Sequence, residues 1–241
     1  MIRHLHIGKN NVIGRAFTRS GNVNVIASNE INKVDLNSYD KISISAFDPL
    51  LKEKLGNDKL VSNILERINS DIEILYFSTV RAFEYKIPSR HISYAANKKA
   101  SAQRLLSHAP HAKIVYLPNI LPKTNKDQSN FIKMFHNNLI NGFIRFDVSK
   151  DSSWNFICPD SLVTALNIDD FKDKHNVFIN KTWITALQLV EAARLHYARD
   201  FEINYGDKKV VYPAAASLTH TVVTSRNILT ANDIIRVLGN E

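Results

Sequence analysis

Tyr94 and Lys98 stand four residues apart in a segment, Ser93 to Leu106, whose pattern is helical. Both side chains therefore fall on one helix face, one turn apart. The preceding stretch Leu75-Tyr76-Phe77-Ser78-Thr79 reads as a buried strand ending in two hydroxyls. A phenol ordinarily keeps its proton up to a pH of about 10, and an ammonium held close by favours the phenolate and lowers that value. Thr79 or Ser78 can hydrogen-bond the same substrate oxygen from the strand end. Such a set exchanges a proton with a carbinol or ketone while a hydride moves elsewhere, which is dehydrogenase chemistry.

A Tyr and a Lys at this spacing also occur at Tyr205 and Lys209. There Gly206 and Asp207 intervene, which argues for a turn and breaks the one-face geometry. Only the first copy has a strand, a hydroxyl pair and a helix around it. The His pairs His4/His6 and His108/His111 lack further ligands at zinc spacing, so no metal site is expected.

These residues need a scaffold, and the chain supplies one. At 241 residues and 44% apolar, it can bury a full core as one large domain or two small ones. His4–Ile7 leads through Gly8 to a short helix from Gly14 to Arg19. Strands follow at Asn24–Ala27 and Lys41–Ala46, then a helix over Asp58–Asn69 with Leu60, Ile64 and Ile68 on one side. The strands Ile72–Phe77 and Lys113–Leu117 flank the helix that opens at Tyr94. Strand, helix and strand in series imply an α/β fold, a Rossmann-type doubly wound parallel sheet. Ligands of such sheets bind at the carboxyl ends of the strands, where Gly8, Ala46, Ser78/Thr79 and Pro118/Asn119 all lie. The second half is less regular, with helical patterns at Asn130–Ile140 and Trp183–Tyr197 and a β-branched stretch at Val210–Val223. We expect a dinucleotide-binding core over residues 1–122. A smaller, irregular substrate-binding part over 123–241 would return elements to that core, with Leu121 to Asn130 as the linker.

No apolar run approaches the roughly eighteen residues of a membrane span, and Met1–Ile7 is too short and polar for a secretion signal. A single cysteine, Cys158, rules out an internal disulfide and suits a reducing cytoplasm. The net charge of +8 favours anionic partners. Lys and Arg are scattered, without a basic run or interleaved aromatics, so a small phosphorylated ligand fits at least as well as nucleic acid, and no nucleic-acid partner is expected.

In this order, the segments resemble the extended short-chain dehydrogenase/reductases, a family of nucleotide-sugar epimerases, dehydratases and reductases. His6-Ile7-Gly8-Lys9-Asn10-Asn11-Val12-Ile13-Gly14 is similar to the family's glycine-rich turn, Val34-Asp35-Leu36 to the segment meeting the adenine, and Ser45-Ala46-Phe47 to the strand end beside the ribose. Ser78-Thr79 resembles the catalytic hydroxyl pair, with Thr79 at the position usually credited. Tyr94 and Lys98 match the catalytic Tyr and Lys. Tyr116 to Pro122 resembles the stretch whose Asn, here Asn119, contacts the sugar nucleotide, and Trp154 to Asp160 a later signature beginning Arg-Asp-Phe.

The resemblance implies NADP or NAD as cofactor, held by Gly8, Asn10, Asn11, Val12, Ile13, Ser28, Asp35, Leu36, Ala46, Phe47, Tyr94, Lys98 and Pro118. It implies a sugar-nucleotide substrate met by Ser78, Thr79, Arg81, Asn119 and Trp154, a place in sugar-nucleotide or surface-polysaccharide biosynthesis, and assembly as a homodimer. Ser78 to Glu84 is loosely similar to dTDP-4-dehydrorhamnose reductases, which favours keto-sugar reduction slightly over epimerisation.

The departures bear on function as much as the matches. Asn11 replaces the middle glycine of the turn, where glycine lets the backbone approach a pyrophosphate. Ser28-Asn29 stands where an acid would bind the adenosine ribose, leaving room for a 2′-phosphate. Trp154 takes the place of an Arg and cannot supply its charge. Val80-Arg81 follows Thr79 in place of the Asp-Glu pair of a 4,6-dehydratase. Asn11 and Trp154 favour the alternative of a non-catalytic member that binds a dinucleotide or a partner protein.

Overall fold

A computed structural model describes residues 2–46, 58–83, 92–122, 130–167, 169–212 and 220–239. In chain order the elements begin β1 (His4–Ile7), α1 (Val12–Ser20), β2 (Asn24–Ile26), β3 (Lys41–Ile44), α2 (Lys59–Leu65), β4 (Glu73–Thr79), α3 (Ile92–His108) and β5 (Ala112–Leu117). They continue with β6 (Asn119–Ile120), α4 (Asn130–Ile140), β7 (Phe143–Phe146), β8 (Ser153–Ile157), α5 (Pro159–Asn167), β9 (His175–Ile179) and β10 (Trp183–Thr185). The last are α6 (Ala186–Tyr197), β11 (Glu202–Tyr205), β12 (Val211–Tyr212), β13 (Thr221–Thr224) and α7 (Ala231–Gly239).

Seven strands form one sheet in the order β13-β9-β5-β4-β3-β1-β2, and every pair from β2 across to β9 is parallel. The chain lays β2 outside β1, then crosses back to put β3 on the other side of β1. The direction of winding thus switches between β1 and β3, the point at which open α/β sheets bind ligands. Leu5 and Ile7 lie opposite Ile42 and Ile44 in register, and all four are fully buried, as strands covered on both faces require. The other face of β1 carries His4 and His6, with His6 stacked on Phe17 of α1 at a ring separation of 4.1 Å.

The chain comprises two compact units. One holds Met1–Leu117, Val163–Phe178 and Thr219–Val223; the other holds Pro118–Leu162, Ile179–Leu218 and Thr224–Glu241. The second unit has its own core, in which Phe135, Leu139, Phe146, Phe156, Ile184, Leu189 and Ile235 pack together.

Some expectations change in detail. Trp183–Tyr197 is not one helix: Trp183–Thr185 is β10, antiparallel to β8, and the helix starts only at Ala186. The cause is a capping box. Thr185 Oγ1 accepts from Gln188 N at 3.1 Å and Gln188 Oε1 accepts from Thr185 N at 2.8 Å, which fixes the first turn beyond Trp183. The helix expected to run to Asn69 closes at Leu65, so Ile68 lies past it. The β-branched stretch holds two short strands, β12 and β13, and residues 213–219 between them lie outside the described residues. So do Phe47 and residues 123–129 of the expected linker.

Candidate active site

β1 delivers Gly8 at φ +139°, a conformation that residues with a Cβ rarely adopt. A Cβ on Gly14 would overlap the Gly8 carbonyl and crowd Lys9 Cα, so the turn and α1 pack at backbone contact. Asn11 is the N-cap of α1. Its Oδ1 accepts from Gly14 N at 2.9 Å, and its Nδ2 donates to Ser45 O at 3.1 Å and Ser45 Oγ at 2.9 Å. The carboxamide that replaces the middle glycine is therefore committed to the helix start and the end of β3. The N–H groups of Val12 and Ile13 in the first turn have no place in the intrahelical ladder. With no acidic residue in that turn, the helix end favours an anion.

Gly14→Ala should destabilise the protein by about 3 kcal/mol, the upper range of overpacking costs, because only backbone can yield. Gly21→Ala is the control. Its φ of +70° with open space around it leaves only left-handed strain, about 1–2 kcal/mol. If the Gly14 packing carried no weight, denaturant unfolding would show no loss in Gly14→Ala, Ala being the better helix former, while Gly21→Ala still lost stability.

α3 carries Tyr94, half-buried in its first turn, and Lys98, buried one turn on. Lys98 Nζ donates to Phe77 O of β4 at 3.1 Å and sits 4.5 Å over the Tyr76 ring. Burial lowers the Lys98 pKa to about 8, opposed by the negative charge of Asp58. Asp58, itself buried, accepts from Leu60 N and Val61 N at 3.1 and 3.3 Å through Oδ1 and from Ser101 Oγ at 2.8 Å through Oδ2. The same burial, with the Asp58 charge behind it, pushes the Tyr76 phenol well above its usual value, so Tyr76 stays neutral while Lys98 stays an ammonium at pH 7. Two residues beyond the Phe77 carbonyl lies Thr79, the buried last residue of β4. Ser78 Oγ is buried without a hydrogen-bond partner among the described residues. The second Tyr/Lys copy has no such setting: Tyr205 closes β11 and Lys209 lies beyond Gly206, outside any helix.

The other candidate residues are more dispersed. Ala46 follows β3, buried, with its N–H on Ile7 O at 3.1 Å. Ser28 opens the 3₁₀ stretch Ser28–Lys33. Within it Glu30 accepts from Ala27 N at 2.7 Å, an acid four residues past β2 that the strand-end position Ser28-Asn29 does not point to. Asp35 caps Asn37 N at 3.0 Å, and Leu36 is buried. Asn10 precedes the cap, its carbonyl accepting from Arg15 at 3.0 Å, and Arg81 lies in the 3₁₀ turn Val80–Phe83. Pro118, Asn119 and Trp154 belong to the second unit. There Asn119 Nδ2 donates to Asn155 O at 3.4 Å, and Trp154 packs on the unit's core with its ring 5.8 Å from Phe146.

No protein-family model matches the sequence, and no curated protein matches it by sequence. Solved structures do match the fold. UDP-glucuronic acid 4-epimerase from Bacillus cereus superposes with a TM-score of 0.70 at 12% identity, over 98% of this chain and 96% of that one. UDP-N-acetylglucosamine 4-epimerase from the same species gives 0.65 at 15% identity, over 99% and 96%. dTDP-glucose 4,6-dehydratase from Bacillus anthracis, solved with NAD, gives 0.67 at 9% identity, over 98% and 96%. The chain therefore has the Rossmann-type architecture of these proteins, both units included. Among the described residues no helix is long and apolar enough to cross a membrane.

Proposed function

We propose that this chain is an NAD(P)-dependent enzyme of the extended short-chain dehydrogenase/reductase type that acts on a sugar nucleotide. The observation that carries the reading is the placement of Tyr94 and Lys98 one turn apart on α3, with the Lys98 ammonium against the carboxyl end of β4. The strand end bearing Thr79 belongs to the same parallel sheet as the Gly8–α1 turn. Structural neighbours that act on UDP- and dTDP-sugars support the substrate class.

The turn fits a dinucleotide: Gly8 and Gly14 let β1, the turn and α1 pack at backbone contact, and the α1 N-terminus offers its first-turn N–H groups to the phosphates. When bound, the nicotinamide supplies hydride transfer. The chain's own groups handle the proton. Tyr94 Oη exchanges it with the substrate oxygen, Thr79 and Ser78 hold that oxygen, and the Lys98 ammonium stabilises the phenolate. Asn119, Arg81 and Trp154 are the remaining proposed substrate contacts. Within the class we place keto-sugar reduction ahead of epimerisation, on the Ser78–Glu84 resemblance. A cytoplasmic location and a lack of nucleic-acid partners belong to the same reading.

Titration with NADH and NADPH, followed by nucleotide fluorescence and calorimetry, is expected to give saturable binding. Without an acid at Ser28 or Asn29, NADPH should bind at least as tightly as NADH. A tenfold preference for NADH, about 1.4 kcal/mol, would instead assign Glu30 the ribose role. No binding at millimolar dinucleotide would remove the enzyme reading and leave a partner-binding member of the fold, which the substitutions at Asn11 and Trp154 favour.

A further inference from the structure

The inner face of β1 and β3 carries an unbroken hydrogen-bonded chain leading to the glycine-rich turn. His4 Nε2 lies 2.8 Å from Ser43 Oγ, which lies 2.7 Å from His6 Nδ1. His6 Nε2 lies 2.8 Å from Ser45 Oγ, and Ser45 Oγ takes the Asn11 amide at 2.9 Å. His6 and Ser43 are fully buried. Two polar side chains beneath a Rossmann turn, at positions that could hold aliphatic residues, cost desolvation unless fully paired. Here each finds its partners.

Two complete wirings satisfy each of these links. In one, His6 Nδ1–H donates to Ser43, Ser43 donates to His4, and Ser45 donates to His6 Nε2. In the other all three reverse, and Ser45 Oγ–H turns to Asn11 Oδ1. Both leave Asn11 Nδ2 on Ser45. Burial lowers the His6 pKa to about 3, with the neighbouring His4 adding to the effect, and burial lowers that of His4 to about 4. The chain is therefore neutral across ordinary pH, and the Asn11 Nδ2–Ser45 bond is common to both wirings.

We infer that Ser45 and His6 are positioning residues of the dinucleotide turn, acting through Asn11. Their hydrogen bonds hold the Asn11 carboxamide so that Oδ1 caps Gly14 N, and this cap sets the first turn of α1 in a chain whose middle glycine is missing. Part of this rests on the dinucleotide reading above; the link to Gly14 does not. The Asn11 amide has two acceptors just past β3. Ser45 supplies both the hydroxyl and the carbonyl for it, and His6 stacked on Phe17 supplies a rigid backing for that hydroxyl.

The test has two arms. In the protein without nucleotide, amide exchange at Gly14 should quicken about tenfold in Ser45→Ala and in His6→Phe, the latter keeping a ring on Phe17. Exchange unchanged in both would overturn the proposal whatever the cofactor reading. In the second arm, each variant should weaken dinucleotide binding about tenfold in the wild-type background and not at all in Asn11→Gly. Equal weakening in both backgrounds would mean a general packing role, and the proposal would fall. Wild-type protein that binds no dinucleotide would remove the functional reading while the Gly14 exchange arm still decides the positioning role. Ser45 is only partly buried, so Ser45→Ala keeps the test open if His6→Phe fails to fold.

Discussion

Tyr94→Phe is expected to lower turnover by about 10²–10⁴-fold, the usual contribution of a general acid/base, while dinucleotide affinity stays nearly unchanged. The substitution deletes one oxygen from a half-buried ring and leaves the ring's packing in place, so circular dichroism and unfolding should match wild type. The proton that Tyr94 exchanges then has no carrier, and water must take over with no positioned group to help it. Tyr205→Phe, in the other Tyr/Lys pair, should leave turnover unaltered, because Tyr205 ends a strand stacked on Phe146 and faces no helical lysine. Steady-state rates of the two variants under one assay decide the matter. Wild-type turnover in Tyr94→Phe, with loss in Tyr205→Phe, would move the site to the second unit and remove the roles given to Thr79 and Lys98.

The parts of this site that sequence makes legible are those set by local periodicity. Tyr94 and Lys98 share a face because α3 is helical over both, and Thr79 ends a strand whose apolar run is plain. Gly8 marks a turn because a positive φ is needed there. What local pattern cannot convey is which side chains pair across the sheet. His4 and His6 look like the polar half of an alternating strand, yet they point into the core, and only the register with Ser43 reveals why. Asp58 reads as a helix opener, which it is, but its second oxygen reaches Ser101 forty-three residues away. Trp183 fits a helical face by spacing, and a capping box at Thr185 overrides that spacing. The parallel pair β7 and β11 joins segments about sixty residues apart, beyond any signal in either one.

Lys98 supplies the second large effect, and here stability and function should part. Lys98→Met should cost turnover and weaken dinucleotide binding, because Lys98 is assigned both the Tyr94 phenolate and a share in holding the cofactor. The same variant should fold at least as stably as wild type at pH 7. Replacing a buried ion by an apolar chain of similar length is often neutral or favourable, and Asp58 keeps Ser101 and two backbone N–H groups. The pH dependence fixes the cause. The Lys98 pKa falls from its usual 10.5 to about 8 on folding, so below about pH 8 both folded and unfolded states hold the proton and the cost of burying charge is fully present. Between pH 8 and 10.5 the unfolded state binds more protons than the folded one, so stability rises with pH through that window. Wild type should therefore gain a few kcal/mol on Lys98→Met from pH 7 to 10.5. Asp58→Asn acts in the opposite sense: it removes a negative charge that favours the Lys98 ammonium, so stability at pH 7 should fall. That deficit should disappear in Asp58→Asn/Lys98→Met. Denaturant unfolding of the four proteins at four pH values reads all of this. A flat difference between wild type and Lys98→Met across the window would mean that Lys98 is not the buried charge, and its hold on Tyr94 would go with it.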